Sequence, residues 1–351
     1  MENKILHIGV DGGFIKSFIN FVKEEFDFNA HYFLITSCNK EESVYPNVIL
    51  SPRTITSRLK YYVEATVRMH QARKIIFHGI FDTKLVFILF LMPWLLKKSC
   101  WVLWGGDLYV YRLGDKNWKW RVAEYFRRPV IKKFQVITTT VPGDYELAKD
   151  WYSIKGKFIQ NLMYKSHVYR RLNNIGISEK RNGDIFIQVG NSSDPSNNHI
   201  EILELISKKR DSSIKVFCPL SYGSDAHKDF VIQKGKELLG DRFIPLTELM
   251  SFDDYNNHMA SIDIAIFNHD RQQAMGNIIG LVSLGKKVVL KNSVTPYKFF
   301  SDLGISIYTL DDENLFEPMD ADKAKVNINR AKSYFTSERL KMNWMEVFDE
   351  E

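Results

Sequence analysis

Cysteine is scarce in this 351-residue chain: Cys38, Cys100 and Cys218 stand far apart and in no C-x-x-C or C-x-x-H spacing. That argues against a disulfide framework and a zinc site, and it fits a reducing cytoplasm. Long hydrophobic runs are missing too. The most apolar stretch, Leu85 to Leu96, is about half of the roughly 20 residues a membrane span needs, so it reads as a buried helix. A strand pattern begins almost at the first residue, and no signal peptide is expected. No G-x-G-x-x-G follows a strand, which disfavours a dinucleotide cofactor. The only D-x-D of the C-terminal half, Asp320 and Asp322, lies in a polar stretch away from any strand end, so no essential metal is expected. Repeats and low-complexity tracts are absent.

What is present is an ordinary globular composition, 45% hydrophobic and 26% charged, with a modest net charge of +6. The length points to two domains. Short apolar runs alternate with amphipathic helical stretches: "KILHIGV", "HYFLIT", "NVILS", "KIIFHG", "CWVLWGG" and "FQVITTT" form one set. "DIFIQVGN", "IKVFCPL", "FIPLTE", "IDIAIFN", "KKVVLKN" and "SIYTL" form a second. Strands alternating with helices predict parallel sheets built from right-handed crossovers. Between the sets, a polar, Asn- and Gly-rich stretch marks a linker. The expected plan is an N-terminal domain over 1–165, a linker over 166–183, a C-terminal domain over 184–330 and a charged helical tail over 331–351. Ligands of such sheets sit beyond the carboxyl ends of the strands, in a shared cleft.

Every unusual polar loop follows a strand. In "HIGVDGGFIKSF" the glycines allow a tight turn, and Asp11 can serve as a base or as a helix cap. In "FHGIFD", His78 can exchange a proton near neutrality or be a satisfied structural histidine. "WVLWGGDLYVYR" puts Trp104, Asp107 and Tyr109 together, and aromatic faces beside a carboxylate suit a sugar. "GNSSDPSNNH" offers Gly190, Asn191, Ser192, Asp194 and Asn197, more capping groups than one helix needs, which suits an anion at a helix N-terminus. In "NHDRQQAMGN", Arg271 presents a phosphate-matching fork beside Gln272 and Gln273, and Gly276 permits close approach. A sixth stretch, Lys116 to Lys133, carries seven Lys or Arg residues among aromatics and suits an anionic lipid surface. No nucleic-acid module accompanies it, and no nucleic-acid partner is expected.

With these stretches together, "FHGIFD", "WVLWGGDLY", "VGNSSDPSNNHI" and "RQQAMGNI" followed by "LGKKVVL", the chain resembles the TDP-N-acetylfucosamine:lipid II N-acetylfucosaminyltransferases. The resemblance runs from about residue 5 to 330. It implies a GT-B fold, with two Rossmann-like domains facing a central cleft and no cofactor. It implies transfer of 4-acetamido-4,6-dideoxygalactose or a similar sugar from a dTDP donor to a polyprenyl-diphosphate-linked saccharide, peripherally at the cytoplasmic face of a bacterial inner membrane. Gly190, Asn191, Ser192, Asp194 and Asn197 would line the donor site, and Arg271, Gln272, Gln273 and Gly276 would hold the diphosphate. His78, Trp104, Asp107 and Tyr109 would face the acceptor and the reacting carbon. Should a base be required, Asp107 is the first candidate, then His78 and Asp11. Two rivals stand beside this reading: a GT-B enzyme using UDP- or GDP-sugars or an epimerase, and a non-catalytic, membrane-associated sugar-binding protein.

Overall fold

A computed structural model describes residues 3–37, 45–52, 55–169, 183–209 and 211–350. Cys38 and most of the expected linker, residues 170–182, lie outside these. The chain divides into two units, residues 1–166 with 337–351, and residues 167–336.

The first unit is built on seven strands: β1 Ile5–Val10, β2 His31–Ser37, β3 Val48–Pro52, β4 Lys74–His78, β5 Ser99–Val102, β6 Val136–Thr139 and β7 Lys157–Gln160. Their order is β3-β2-β1-β4-β5-β6-β7, with every neighbouring pair parallel. The central strands are apolar along both faces because helices cover both. The crossovers carry α1 Gly13–Glu25, α2 Ile55–Gln71, α3 Thr83–Leu91, α4 Gly106–Leu113, α5 Trp118–Ile131 and α6 Pro142–Tyr152. The sheet order reverses at β1, so the crevice between the β1 and β4 crests is its switch point. The edge strand β7, "KFIQ", escapes sequence patterning because it is short and half exposed.

The second unit repeats the plan with β8 Ile185–Val189, β9 Ile214–Pro219, β10 Phe243–Leu246, β11 Ile264–Phe267 and β12 Lys287–Leu290, in the order β10-β9-β8-β11-β12. All its pairs are parallel, and its switch point lies between β8 and β11. Its helices are α7 His199–Ser207, α8 Asp225–Leu239, α9 Phe252–Ser261, α10 Met275–Ser283, α11 Thr295–Asp302 and α12 Ala321–Tyr334; α13 Ser337–Asp349 follows them in the chain but belongs to the first unit. The expected strand "SIYTL" is reduced to one bridge, Val289 to Tyr308, and adds no strand to the sheet. Asp320 of the D-x-D caps α12, accepting from the N–H groups of Asp322 and Lys323.

The expected tail over 331–351 is corrected by the fold. α12 crosses its boundary and belongs to the second unit, whereas α13 completes the core of the first. Leu340, Trp344, Val347 and Phe348 recur at helical spacing and are buried. Trp344 is sealed against Phe18, centroids 4.6 Å apart, and its indole N–H donates to the Met163 carbonyl at 2.9 Å. Trp344→Ala should therefore cost about 3–5 kcal/mol, whereas Met342→Ala, on the exposed face of the same helix, should stay within about 0.5 kcal/mol. Denaturant midpoints of the two variants check this, and equal midpoints would return α13 to the status of a tail.

Candidate active site

In the second unit the loop after β8 and the loop after β11 meet at the switch point. Gly190 has φ +69°, and a Cβ there would stand 2.7 Å from both Asn197 Oδ1 and His199 Nε2, so only glycine fits. The bend lets the Asn191 N–H reach Asn197 Oδ1 at 2.9 Å. Asn197 is fully buried and joins the two loops: Oδ1 also lies 2.9 Å from His269 Nε2, while its amide donates to the Asp194 carbonyl (2.9 Å) and the Ser192 hydroxyl (3.3 Å). Burial lowers the His269 pKa to about 3, so the ring is neutral and its N–H serves that bond. The Ser196 hydroxyl sits between Asp194 Oδ1 (2.6 Å) and Gln273 Oε1 (2.9 Å), and the Gln273 amide donates to Asn191 Oδ1 at 3.1 Å. Asp194 Oδ1 also accepts the Ser196 N–H, capping the turn Pro195–Asn197.

Much of the polar surplus in this loop is therefore spent on itself. What stays available is more restricted. Arg271 is only weakly engaged, with one guanidinium nitrogen 3.5 Å from Asp194 Oδ2 and another 3.3 Å from its neighbour's carbonyl. Burial opposes the Asp194 charge, but the Ser196 bonds and Arg271 prevail and hold its pKa below the usual carboxylate value. Next to Arg271 begins α10. Its capping position, Ala274, is left-handed with φ +58°, makes no side-chain cap and leads into a first turn with no acid. A left-handed alanine costs about 1 kcal/mol, strain of the kind that gathers at binding loops. The N–H groups around Gly276 are thus open to an anion. Gln272 is buried, and its Oε1 has no partner among the described residues.

Beside Asn191 opens a cavity of about 380 Å³ at the crests of β8, β9 and β10, lined by Tyr222, Leu246, Phe252, Tyr255 and, from the first turn of α10, Asn277. Its volume suits a small organic ligand. Tyr222 belongs to the loop network: its hydroxyl accepts from the Asn191 amide at 2.7 Å, and its carbonyl takes the Ser193 N–H at 2.8 Å. Sequence reasoning missed this wall. Its one signal was "SYGSD" after β9, where Gly223 has φ +122° and packs on Ser193.

In the first unit, Asp107 is buried and committed. Its Oδ2 accepts the Trp101 indole N–H at 2.7 Å and the Ile80 N–H at 3.0 Å, and Oδ1 accepts the Trp104 N–H at 3.0 Å. Desolvation raises its pKa, against those donors and Arg127. Asp107 is a buried brace between the loops after β4 and β5, each oxygen already accepting a hydrogen bond, which weighs against its expected role as a base. His78 is corrected in the same way. Both ring nitrogens are occupied, Nε2 by His7 Nδ1 at 3.1 Å and Nδ1 by the Tyr164 hydroxyl at 3.0 Å, and His7 continues to His31 at 2.9 Å. Burial drives the pKa of His7 well below 6.5, that of His31 to about 4 and that of His78 to about 3. Three neutral rings linked nitrogen to nitrogen must all donate in one direction. Tyr109 is likewise a core residue, buried and with its hydroxyl donating to Asp144 at 3.1 Å.

Trp104 is half-buried at the crest. Its indole donates to Tyr164 at 2.7 Å, and the half-exposed rings of Phe14 and Phe81 stand edge-on to it at 5.8 and 5.9 Å. Phe81 lies over Gly79, whose φ of +78° and missing Cβ make room for it. Phe14 and Phe81 were not singled out from sequence, since isolated phenylalanines carry no pattern. Asp11 is the one of the three candidate acid–base residues still reachable at this crest, 3.8 Å from Lys16 with its side chain 13% exposed.

Two all-parallel units, each with its polar or aromatic loops at its switch point, are the architecture of the GT-B fold. The chain is similar to Anabaena HepE solved with UDP-glucose (14% identity, 97% of this chain and 98% of that one, TM-score 0.68). It is similar to WaaG, a glycosyltransferase involved in lipopolysaccharide biosynthesis (12%, 99% and 100%, 0.65), and to sucrose-phosphate synthase of Thermosynechococcus elongatus (11%, 98% and 98%, 0.67). At those identities the likeness speaks for the fold alone. The model of the 4-alpha-L-fucosyltransferase family, glycosyl transferase group 56, matches residues 13–350, and the chain belongs to that family.

The neutral histidine chain has a pH signature. In the unfolded chain each ring takes up its proton near 6.5, but in the folded protein His31 and His78 do so only near 4 and 3. Their stability is complete above about pH 6.5 and falls as acid is added, by about 1.4 kcal/mol per ring for each pH unit below it. Denaturant unfolding between pH 7 and 5 should show the decline, and His78→Gln should flatten it. A pH-independent stability would overturn the neutral chain.

Proposed function

We propose that the chain transfers 4-acetamido-4,6-dideoxygalactose, or a close relative, from a dTDP donor to a polyprenyl-diphosphate-linked saccharide at the cytoplasmic face of a bacterial inner membrane. The observation that carries the donor half is the pairing of Arg271 with the uncapped N-terminus of α10, at the rim of the 380 Å³ cavity. A nucleoside diphosphate needs both: cationic and N–H donors for the phosphates, and an enclosed wall for the base. Asn277 lines the cavity from the first turn of α10 and so adjoins both. Family membership and the order of the matching motifs support the deoxyamino sugar.

The chemistry follows from charge. An acceptor hydroxyl attacks the anomeric carbon, the bond from that carbon to the diphosphate breaks, and negative charge grows on the departing phosphates. Arg271 and the N–H groups at Gly276 stabilise that charge where it develops. On the first unit, Trp104 between Phe14 and Phe81 offers ring faces and edges to the acceptor sugar. Asp11, whose side chain is partly exposed at this crest, receives the hydroxyl proton.

Arg271→Ala should lower turnover by about 10²–10³-fold with the melting temperature of the free protein retained. Asp11→Asn should lower it by about 10²–10⁴-fold without loss of donor affinity; near-normal turnover would remove Asp11 from that role. The nucleotide is tested by heat: at equal concentration dTDP should raise the melting temperature more than UDP or GDP. A larger shift with UDP would move the donor to the class seen in the HepE complex.

A further inference from the structure

The first unit carries a face that neither the sheet crests nor the donor chemistry uses. α3 packs on α5, with Phe126 meeting Phe87 at 5.2 Å and Phe90 at 5.1 Å. Outward from this seam each helix shows an apolar stripe at i, i+4, i+7 spacing. Phe87, Leu91 and Trp94 run along α3 and the turn that follows it, and Trp118, Val122 and Tyr125 run along α5. All six are strongly exposed, Trp118 and Tyr125 at 70% and 71%. A soluble surface rarely lines up large side chains in this way.

At the far end of both helices the surface becomes basic and concave. A depression of about 770 Å³ is lined by Trp94, Lys97, Lys132, Lys133, Lys155 and Lys157, drawn from three separate crossovers. Lys157 pairs with Glu350, but the other four lysines have no ion pair among the described residues. α3 and the turn Pro93–Lys98 contain no acid, and the single acid of α5, Glu124, is turned inward to Tyr152 at 3.1 Å. Four unpaired lysines in one hollow repel one another unless an anion joins them.

We propose that this face docks on an anionic phospholipid bilayer. The two stripes enter the interfacial layer and the lysine hollow receives lipid phosphate. Charge complementarity selects that occupant: aromatic and aliphatic side chains flanked by unpaired lysines match the acyl boundary and the phosphate plane together. No helix among the described residues is long and apolar enough to cross a membrane, so the docking is peripheral. α3 departs directly from the loop that carries Phe81, so the docked face is continuous in the chain with the aromatic crest. The inference rests on the membrane half of the proposed function and adds the face that meets the bilayer, but it does not depend on which sugar moves.

Flotation of the full chain with phosphatidylcholine vesicles, with and without phosphatidylglycerol, tests it. The protein should float with the anionic vesicles only, and less as salt rises. Lys132→Glu/Lys133→Glu should lower partitioning by at least about tenfold, roughly fivefold for each lysine lost. Trp94→Ser/Tyr125→Ser should lower it even at low salt. Nucleotide-induced stabilisation should be unchanged in both variants, which separates loss of docking from loss of fold or of the donor site. Absence of flotation in the unaltered protein, or equal flotation of the variants, overturns the proposal. A concentration-dependent dimer abolished by Trp94→Ser/Tyr125→Ser would assign the face to a second copy and overturn it as well.

Discussion

The crest of a parallel sheet leaves backbone N–H groups that no strand can satisfy, and both units depend on a buried side chain that meets this need. Asp107 gathers two N–H groups and an indole in the first unit, and Asn197 gathers an N–H and a histidine ring in the second. An unsatisfied buried donor costs about 1–3 kcal/mol, so each brace replaces several such penalties at once. The loops are thereby rigid before any ligand arrives. Preorganised donors are what a transition state with growing phosphate charge requires, since no reorganisation is then needed at the moment of reaction.

The same economy divides the polar residues into those that build the site and those that face it. Carboxylates and imidazoles were attractive as catalysts because of their chemistry, yet burial removes most of them from service. His78 keeps both nitrogens in a chain from His31 to Tyr164, and through Tyr164 that chain fixes the Trp104 ring. The residues left over are the poorly bonded ones: Arg271, the N–H groups of the α10 first turn and Gln272. Incomplete satisfaction, and not chemical type, distinguishes them.

This explains how far the sequence was legible. Among the described residues, alternating apolar runs and helical spacing revealed eleven of the twelve strands, because burial of a central parallel strand imposes its pattern directly. Loops after strands announced the second-unit site through their density of small polar groups, and the glycine at 190 has its meaning in a positive φ. What could not be read was satisfaction. Asp107 and Asp11 are the same residue type after strands of one sheet, and only the burial of Asp107 among its donors, against the partial exposure of Asp11, tells them apart. Tyr109 looked like a sugar platform because Trp104 is near in sequence, but it turns into the core. The cavity wall at Tyr222, Phe252 and Tyr255 is assembled from three separate segments, so no local pattern encodes it.

The last helix ties these levels together. α13 returns after residues 167–336 to cover the first unit, and the contact of Trp344 with Phe18 closes a very long loop. Loop closure costs grow only slowly with length, so the penalty is bearable in equilibrium but delays the contact in folding. Phe348 stacks edge-on to His31 at 4.7 Å and to His7 at 5.8 Å. α13 thus supplies part of the cover that buries those rings. Burial of the histidine chain, its neutrality and the hold on Trp104 are therefore completed by residues at the opposite end of the chain.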